Sequence, residues 1–529
     1  MKRRLIHRIP VRVRHYWKLL ATCAATLLAF AVVFSTVRVA PLVTSASDEN
    51  GDKVTVDIAG TTDLFDAARA HSIKLTFRDE NYQELLDSFW DEGEKEYLEA
   101  DLTLDGTTIP SVGIRLKGNS TLQSLTRNGE SRQTGRSGGA GMRGGGMPGG
   151  GFPGGGQQGA PQGEQGAPQG QQGGFPGGGM MGGGGRTELK TEEPENLPWL
   201  IRFDEFVEGR RYQGHREVSV RVGGMGGGAT VLNEAVSLDV LAAAGEPAQK
   251  YSYTSFTVND RPTTARLIVE HPDENFADDL GANGVLYKSL STSQFTDQGD
   301  DQTEYADDFK QINKKGSQDL QPVIDLIRWV NTATDTEFAE HLGDHVDVES
   351  FARYVATQNL LVNFDDMAGP GKNYYLWYDL TTKKFSVVGW DYNLTLSGSA
   401  TQDPTQSVSM GGGGMRGGGQ QGGGDFQPPE GMEAPQGGGG RGGFMSGHKL
   451  KERFLASSAY QDVYQQQYKA LYNKIYGNAA ALNRITEITK VIGTVDGSNA
   501  ETTATDAENL TTLIRERTQF LATSEFLTE

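Results

Sequence analysis

Apolar and polar residues alternate along much of the first half of the chain, and that period of two predicts strands. His71–Arg78 (HSIKLTFR), Tyr97–Leu104, Val112–Lys117, Trp199–Phe203, Glu217–Val222, Tyr251–Val258 and Ala265–Val269 follow it. Asn81–Glu94 has helical spacing instead, with Leu85, Leu86 and Phe89 on one side. Thr230–Ala244 (TVLNEAVSLDVLAAA) predicts a second helix, and Gly245 ends it. Helical spacing returns over Pro322–Asn331, Thr336–Leu342, Val348–Asn363 and the tail from Lys449. Strands dominate first and helices second, so the expected class is α+β.

One hairpin interrupts the helical half. Residues 363–393 read NFDDMAGPGKNYYLWYDLTTKKFSVVGWDYN. Asn373–Leu380 and Lys384–Trp390 are its strands and Thr381–Lys383 its turn. Folding about residue 382 returns Asp391 to the neighbourhood of Asn373, within one residue of register. Asp365 and Asp366 precede the first strand at the same end. Two or more carboxylates and an amide therefore converge at one mouth.

Composition changes the picture in two places. The chain has 71 glycines, concentrated in blocks at about 129–185 and 410–443. Such sequence buries too little apolar surface to offset its ordering entropy, so both blocks are expected to be disordered insertions, with a tethering role as a second possibility. At the N-terminus, residues 1–18 hold seven Lys or Arg and no acid, and Leu19–Val37 is uncharged and mostly apolar. That predicts a cytoplasmic tail (1–18), a membrane helix (19–41) and a stalk (42–70), with the rest of the chain extracytoplasmic. A cleaved signal peptide is the competing reading, with Thr44-Ser45-Ala46 as its weak cleavage site. The catalytic-type region then spans 71–475, and 476–529 is a C-terminal helical extension.

The formal charge is −19 for the whole chain. Residues 1–38 contribute +8, which leaves −27 for the remainder. Such an exterior repels nucleic acid and anionic lipid and suits divalent cations. The one cysteine, Cys23, falls in the apolar run, so the exported part has no disulfide, cysteine nucleophile or cysteine metal site. HExxH, Walker A and EF-hand patterns are absent, as are the usual kinase strings GxGxxGxV, HRD and DFG.

The order Asp365, Asn373, Asp391 suits phosphoryl transfer from a nucleotide. That reaction needs a hard cation held by carboxylate and amide oxygens, and a carboxylate beside the acceptor hydroxyl. The plainer alternative is a set of turn acids at an exposed strand end.

Several stretches together resemble the CotH (spore coat protein H) kinase family: VGIRLKGNST (112–121), IRFDEF…YQG (201–214), LNEAVSLDVLAAAGEPA (232–248), LIVEHPDENF (267–276), GVLYKSL (284–290) and the 363–398 run. The resemblance implies a two-lobed atypical protein-kinase-like fold that uses ATP and Mg2+ or Mn2+. It also implies Ser/Thr of a secreted or surface protein as the acceptor. On that basis Asp365 matches the catalytic Asp, with Asp366 as its rival. Asn373 and Asp391 match the metal-binding positions. Glu234 matches the helix Glu that pairs with a nucleotide-binding base, for which Lys117 and Arg202 compete. Gly118, Glu270 and Lys288 complete the expected nucleotide contacts, Glu270 at the lobe junction near the adenine. A catalytically inactive envelope scaffold with the same fold is the alternative, and transfer to a non-protein acceptor a third.

Overall fold

The computed structural model describes residues 54–118, 121–132, 188–224, 228–408 and 447–528. The expected tail and membrane helix, Cys23, most of the first glycine-rich block and all of the second lie outside them. Among the described residues no helix is long and apolar enough to cross a membrane.

Seven strands close into a barrel: Ala70–Thr76 (β1), Leu98–Leu104 (β2), Thr107–Leu116 (β3), Trp199–Arg202 (β4), Glu217–Val220 (β5), Tyr251–Val258 (β6) and Thr264–Glu270 (β7). Their order around the ring is β5-β7-β6-β1-β2-β3-β4. Only the β1–β6 pair is parallel. Strand alternation sends Ile114, Leu116, Ile201, Val218 and Val220 inward, where each is at most 1 % exposed. The same alternation turns Arg115, Lys117, Glu217 and Arg221 outward. Helix α1 (Asp79–Asp91) adds Leu85, Leu86 and Phe89 to the barrel core.

The expected stalk is partly built into this unit. Val56–Ile58 pairs in parallel with Arg210–Tyr212. Leu64 is fully buried in the barrel core, its amide donating to Gln213 Oε1 at 2.8 Å. Ordered structure therefore begins well before residue 71.

The second half combines helices with a four-stranded antiparallel sheet. Helix α2 (Leu232–Ala244) is apolar on nearly every side and is accordingly buried on nearly every side. Gly245 terminates it at φ +81°. A short α3 (Glu274–Leu280), capped by the Asp273 carboxylate, follows the barrel. The sheet comprises Gly284–Ser289 (β8), Phe309–Gln311 (β9), Tyr374–Asp379 (β10) and Phe385–Gly389 (β11), in the order β9-β8-β10-β11. The expected hairpin is β10–β11, and two strands not read from the sequence extend it. Its register pairs Tyr374 with Gly389, which puts Asp391 just past Asn373.

Helices α4 (Gln321–Thr332), α5 (Asp335–His345), α6 (Val348–Leu360), α7 (Lys449–Ala456), α8 (Gln461–Ile475), α9 (Ala480–Ile492) and α10 (Ala500–Ala522) complete the fold. Helix α8 packs on α6, and α9 on α2 and α10. Ile485, Ile488, Leu510, Ile514 and Leu521 share one apolar core with α2, α6 and the sheet. The chain beyond 475 is thus part of that core and not an appended extension.

Candidate active site

The site is assembled from one face of the barrel, the first turn of α2 and the mouth of the β10–β11 hairpin. Lys117 follows β3 and Arg221 follows β5. Both main chains continue the ladder, through Lys117 N to Pro198 O at 3.0 Å and Arg221 N to Leu267 O at 2.8 Å. Arg221 connects the three parts. Its Nη2 is 2.6 Å from Glu234 Oε1 and its Nη1 is 2.8 Å from Asp391 Oδ1. Asn233, beside Glu234, donates to Asn393 O at 2.8 Å and Thr395 O at 2.9 Å. Ser237 and Thr395 share a hydroxyl bond of 2.7 Å. Helix α2 is therefore fastened to the segment that carries Asp391.

Trp390 forms the floor. Lys117 Nζ lies 4.8 Å from its ring centroid, Lys288 Nζ 4.7 Å and Arg221 Cζ 5.7 Å. His271 meets the ring edge-on at 5.2 Å, and its Nδ1 is 3.2 Å from Glu217 Oε2. A cation over an aromatic face gains about 0.5–2 kcal/mol. Taking an ion out of water costs several kcal/mol. The ring alone does not balance that cost, and the ammonium groups respond by losing proton affinity. Burial, aided by the Arg221 charge, pushes Lys117 down to about 7. Burial likewise pushes Lys288 down to about 8. Neither ammonium has a carboxylate within ion-pair distance among the described residues. Both side chains are only partly buried, so both remain within reach of solvent. Burial raises Asp391, but Arg221, Lys117 and Lys288 outweigh it and hold the carboxyl below its ordinary range. Glu234, wholly buried, is instead raised by burial despite Arg221.

Asp365 lies in the loop after α6. Its Oδ1 accepts from Gly371 N at 2.5 Å and its Oδ2 from Asn373 Nδ2 at 2.9 Å. Residue 371 must be glycine for this approach, since a Cβ there would fall 2.7 Å from Asp365 Oδ2. Burial raises Asp365 to about 6, and the nearby Asp391 and Asp366 charges add to that. The Asn373 amide nitrogen is spent on Asp365, which leaves its Oδ1 as the oxygen open to a cation.

Three expected site residues are directed elsewhere. Asp366 is buried in an ion pair with Lys451 of α7 and caps the Ala368 amide at 2.8 Å. Both of its oxygens are thus already partnered. Arg202 is taken up by Asp204 at 2.7 Å, Glu205 at 3.1 Å and Glu217 at 3.8 Å, and does not reach Glu234. Glu270 points away from Trp390. Its carboxylate accepts from Lys250 N at 3.0 Å and lies 3.5 Å from His215 Nδ1. Gly118 follows Lys117 at φ +95°, and its carbonyl accepts from Lys95 Nζ at 2.8 Å. Lys117, Glu234, Lys288 and Asp391 do come together, with Asp365 and Asn373 at the same mouth. The residue that sequence reasoning passed over is Arg221. Its signal was the alternation in EVSVRV, where Glu217, Ser219 and Arg221 share the face opposite the valines.

Among the described residues no group of three or more His, Cys, Asp or Glu side chains forms a metal cage. Magnesium in nucleotide sites commonly takes one or two protein oxygens and completes its shell with phosphate and water. Asp391 and Asn373 fit that requirement.

A family model described as CotH kinase protein matches residues 184–525, more than half of the chain. The inner spore coat protein H of Bacillus subtilis (strain 168) is 23 % identical over 195 residues, covering 36 % of this chain and 52 % of that protein. The chain thus spans about half the length of this curated relative. The helices and hairpin that hold Glu234, Asp365, Asn373 and Asp391 all fall within the matched residues, and the chain belongs to the CotH kinase protein family.

Proposed function

We propose that this protein is a membrane-anchored, extracytoplasmic kinase with a two-lobed kinase-like fold. It transfers a phosphoryl group from ATP, with Mg2+ or Mn2+, to Ser or Thr of a secreted or surface protein. The observation that carries this reading is the pair of partly buried ammonium groups, Lys117 and Lys288. Among the described residues neither has an acidic partner within ion-pair distance, and both flank an arginine that links Glu234 to Asp391. Phosphate oxygens would supply the missing counter-charge. ATP with its cation supplies the phosphoryl group and screens the charge that develops on it. Lys117, Lys288 and Arg221 bind the phosphates. Glu234 keeps Arg221 in place. Asn373 and Asp391 hold the cation. Asp365, kept in orientation by Gly371 and Asn373, accepts the proton of the acceptor hydroxyl. Anchoring and export rest on the sequence of residues 1–41.

The test is calorimetric ATP binding by the full-length chain, with and without magnesium or manganese, beside D391A. Cation-dependent binding that D391A abolishes is the expected result. A folded wild type that binds no nucleotide with either cation would sink the reading and leave a catalytically inactive scaffold.

A further inference from the structure

We propose that Asp506, on the C-terminal helix α10, is a positioning residue for the Arg221–Glu234 pair. This rests on the nucleotide reading of the site. The argument starts at the beginning of α2. The helix has no side-chain cap at its N-terminus, and the residue before it, Val231, sits at φ +54°. A β-branched residue avoids that left-handed conformation unless its surroundings impose it. Here they do. Thr230 donates to Asp506 Oδ2 twice, from its amide at 2.8 Å and its hydroxyl at 2.7 Å. The Thr230 carbonyl accepts from Tyr253 OH at 2.9 Å. Gly228 completes the seat at φ +79°, where a Cβ would lie 2.4 Å from Asp506 Oδ1. The carboxylate can reach Thr230 only because that position is glycine.

The turn held in this way launches α2. Asn233 and Glu234 lie in the first helical turn, so the placement of Thr230 sets where the Glu234 carboxylate meets Arg221. Asp506 itself stands on a rigid support. Helix α10 is capped by Asn499, whose Oδ1 accepts from Thr502 N at 2.9 Å. Farther along, Arg517 is fully buried and donates to Asn359 Oδ1 at 2.8 Å and to the Gln402 carbonyl. Asp506 contacts none of Lys117, Arg221, Glu234, Lys288 or Asp391, so its influence on them is indirect.

The experiment compares D506A, D506N, T230V and I514A with wild type in the full-length chain. The readouts are the Kd for MgATP and the unfolding midpoint. D506A is expected to weaken MgATP binding about tenfold, the usual scale for losing an orienting partner. D506N retains an acceptor oxygen and should recover most of that loss. T230V, which removes one of the two donors, should fall between. I514A, a core truncation on the same helix, should lower the midpoint and leave the Kd unchanged. Should D506A not fold, the T230V Kd decides the matter. Unchanged affinity in D506A and T230V overturns the proposal. So does a loss of affinity that I514A reproduces in proportion to its loss of stability. A folded wild type that fails to bind MgATP overturns the nucleotide reading, and this proposal with it.

Discussion

At Arg221 one buried guanidinium serves two carboxylates on different elements, Glu234 and Asp391. At Glu270 burial has a different result. His215 is pushed down to about 4 by burial, and Glu270 is pushed up to about 7, also by burial. Among the described residues their facing atoms, Nδ1 and Oε1, have no other hydrogen-bond partner. Folded Glu270 holds its proton more tightly than the unfolded chain, where 4.5 is ordinary. Its stabilising contribution is complete below 4.5 and is lost as pH rises towards 7. His215 runs the other way: its contribution is present above 6.5 and is lost as pH falls towards 4. E270Q removes the first effect. Unfolding free energies from denaturant titration should therefore favour E270Q over wild type increasingly between pH 4.5 and 7, by roughly 1–3 kcal/mol. Parallel curves would refute the shift. The hairpin made the place of Asp391 legible, and the family resemblance pointed to Glu234. The family resemblance also named Arg202 and Glu270, but it does not encode the local partners that hold them. Asp204 and Glu205, just past β4, and Glu217 on β5 pair with Arg202, while Glu270 lies against His215 and the Lys250 amide.

Helix α2 was legible almost to the residue, because an Ala- and Leu-rich run ending in glycine has few other solutions. The β10–β11 register was also readable within one position, since hairpin pairing is local. Strands β8 and β9 were not. β9 is three residues long, and β8 finds its partner β10 some ninety residues away, a contact that no local period encodes. What the sequence also hid is how α2 is fastened. Asn233 gives both amide hydrogens to carbonyls that follow Asp391. N233A leaves those acceptors unpaired and should lower the unfolding free energy by about 1–3 kcal/mol. N233D, which keeps the size and loses the donor, should cost at least as much. A change within about 0.5 kcal/mol, the range of an idle surface site, would show that the two segments are held by packing alone.

The whole molecule is larger than the catalytic-type region expected at 71–475. Leu64 at one end and the helices beyond 475 at the other are core elements. Composition could not show this, because amphipathic helices look the same whether they cap a domain or complete it. A chain ending at residue 475 exposes the apolar faces of α2 and α8 that α9 and α10 now cover, and it loses Arg517 from beside Asn359. It should show no cooperative thermal unfolding, whereas the full chain should. A sharp transition in the shortened chain would mean that the helical core closes without α9 and α10. The closed barrel was equally invisible in advance, because its β1–β6 pair joins strands about 180 residues apart in parallel. Its closure limits how other proteins engage this chain. A ring of seven mutually paired strands presents no free backbone edge, so an extended peptide has nowhere to add itself as an eighth strand. Recognition on the barrel falls to side chains and loops, where a partner must be read by its chemistry and not by its main chain.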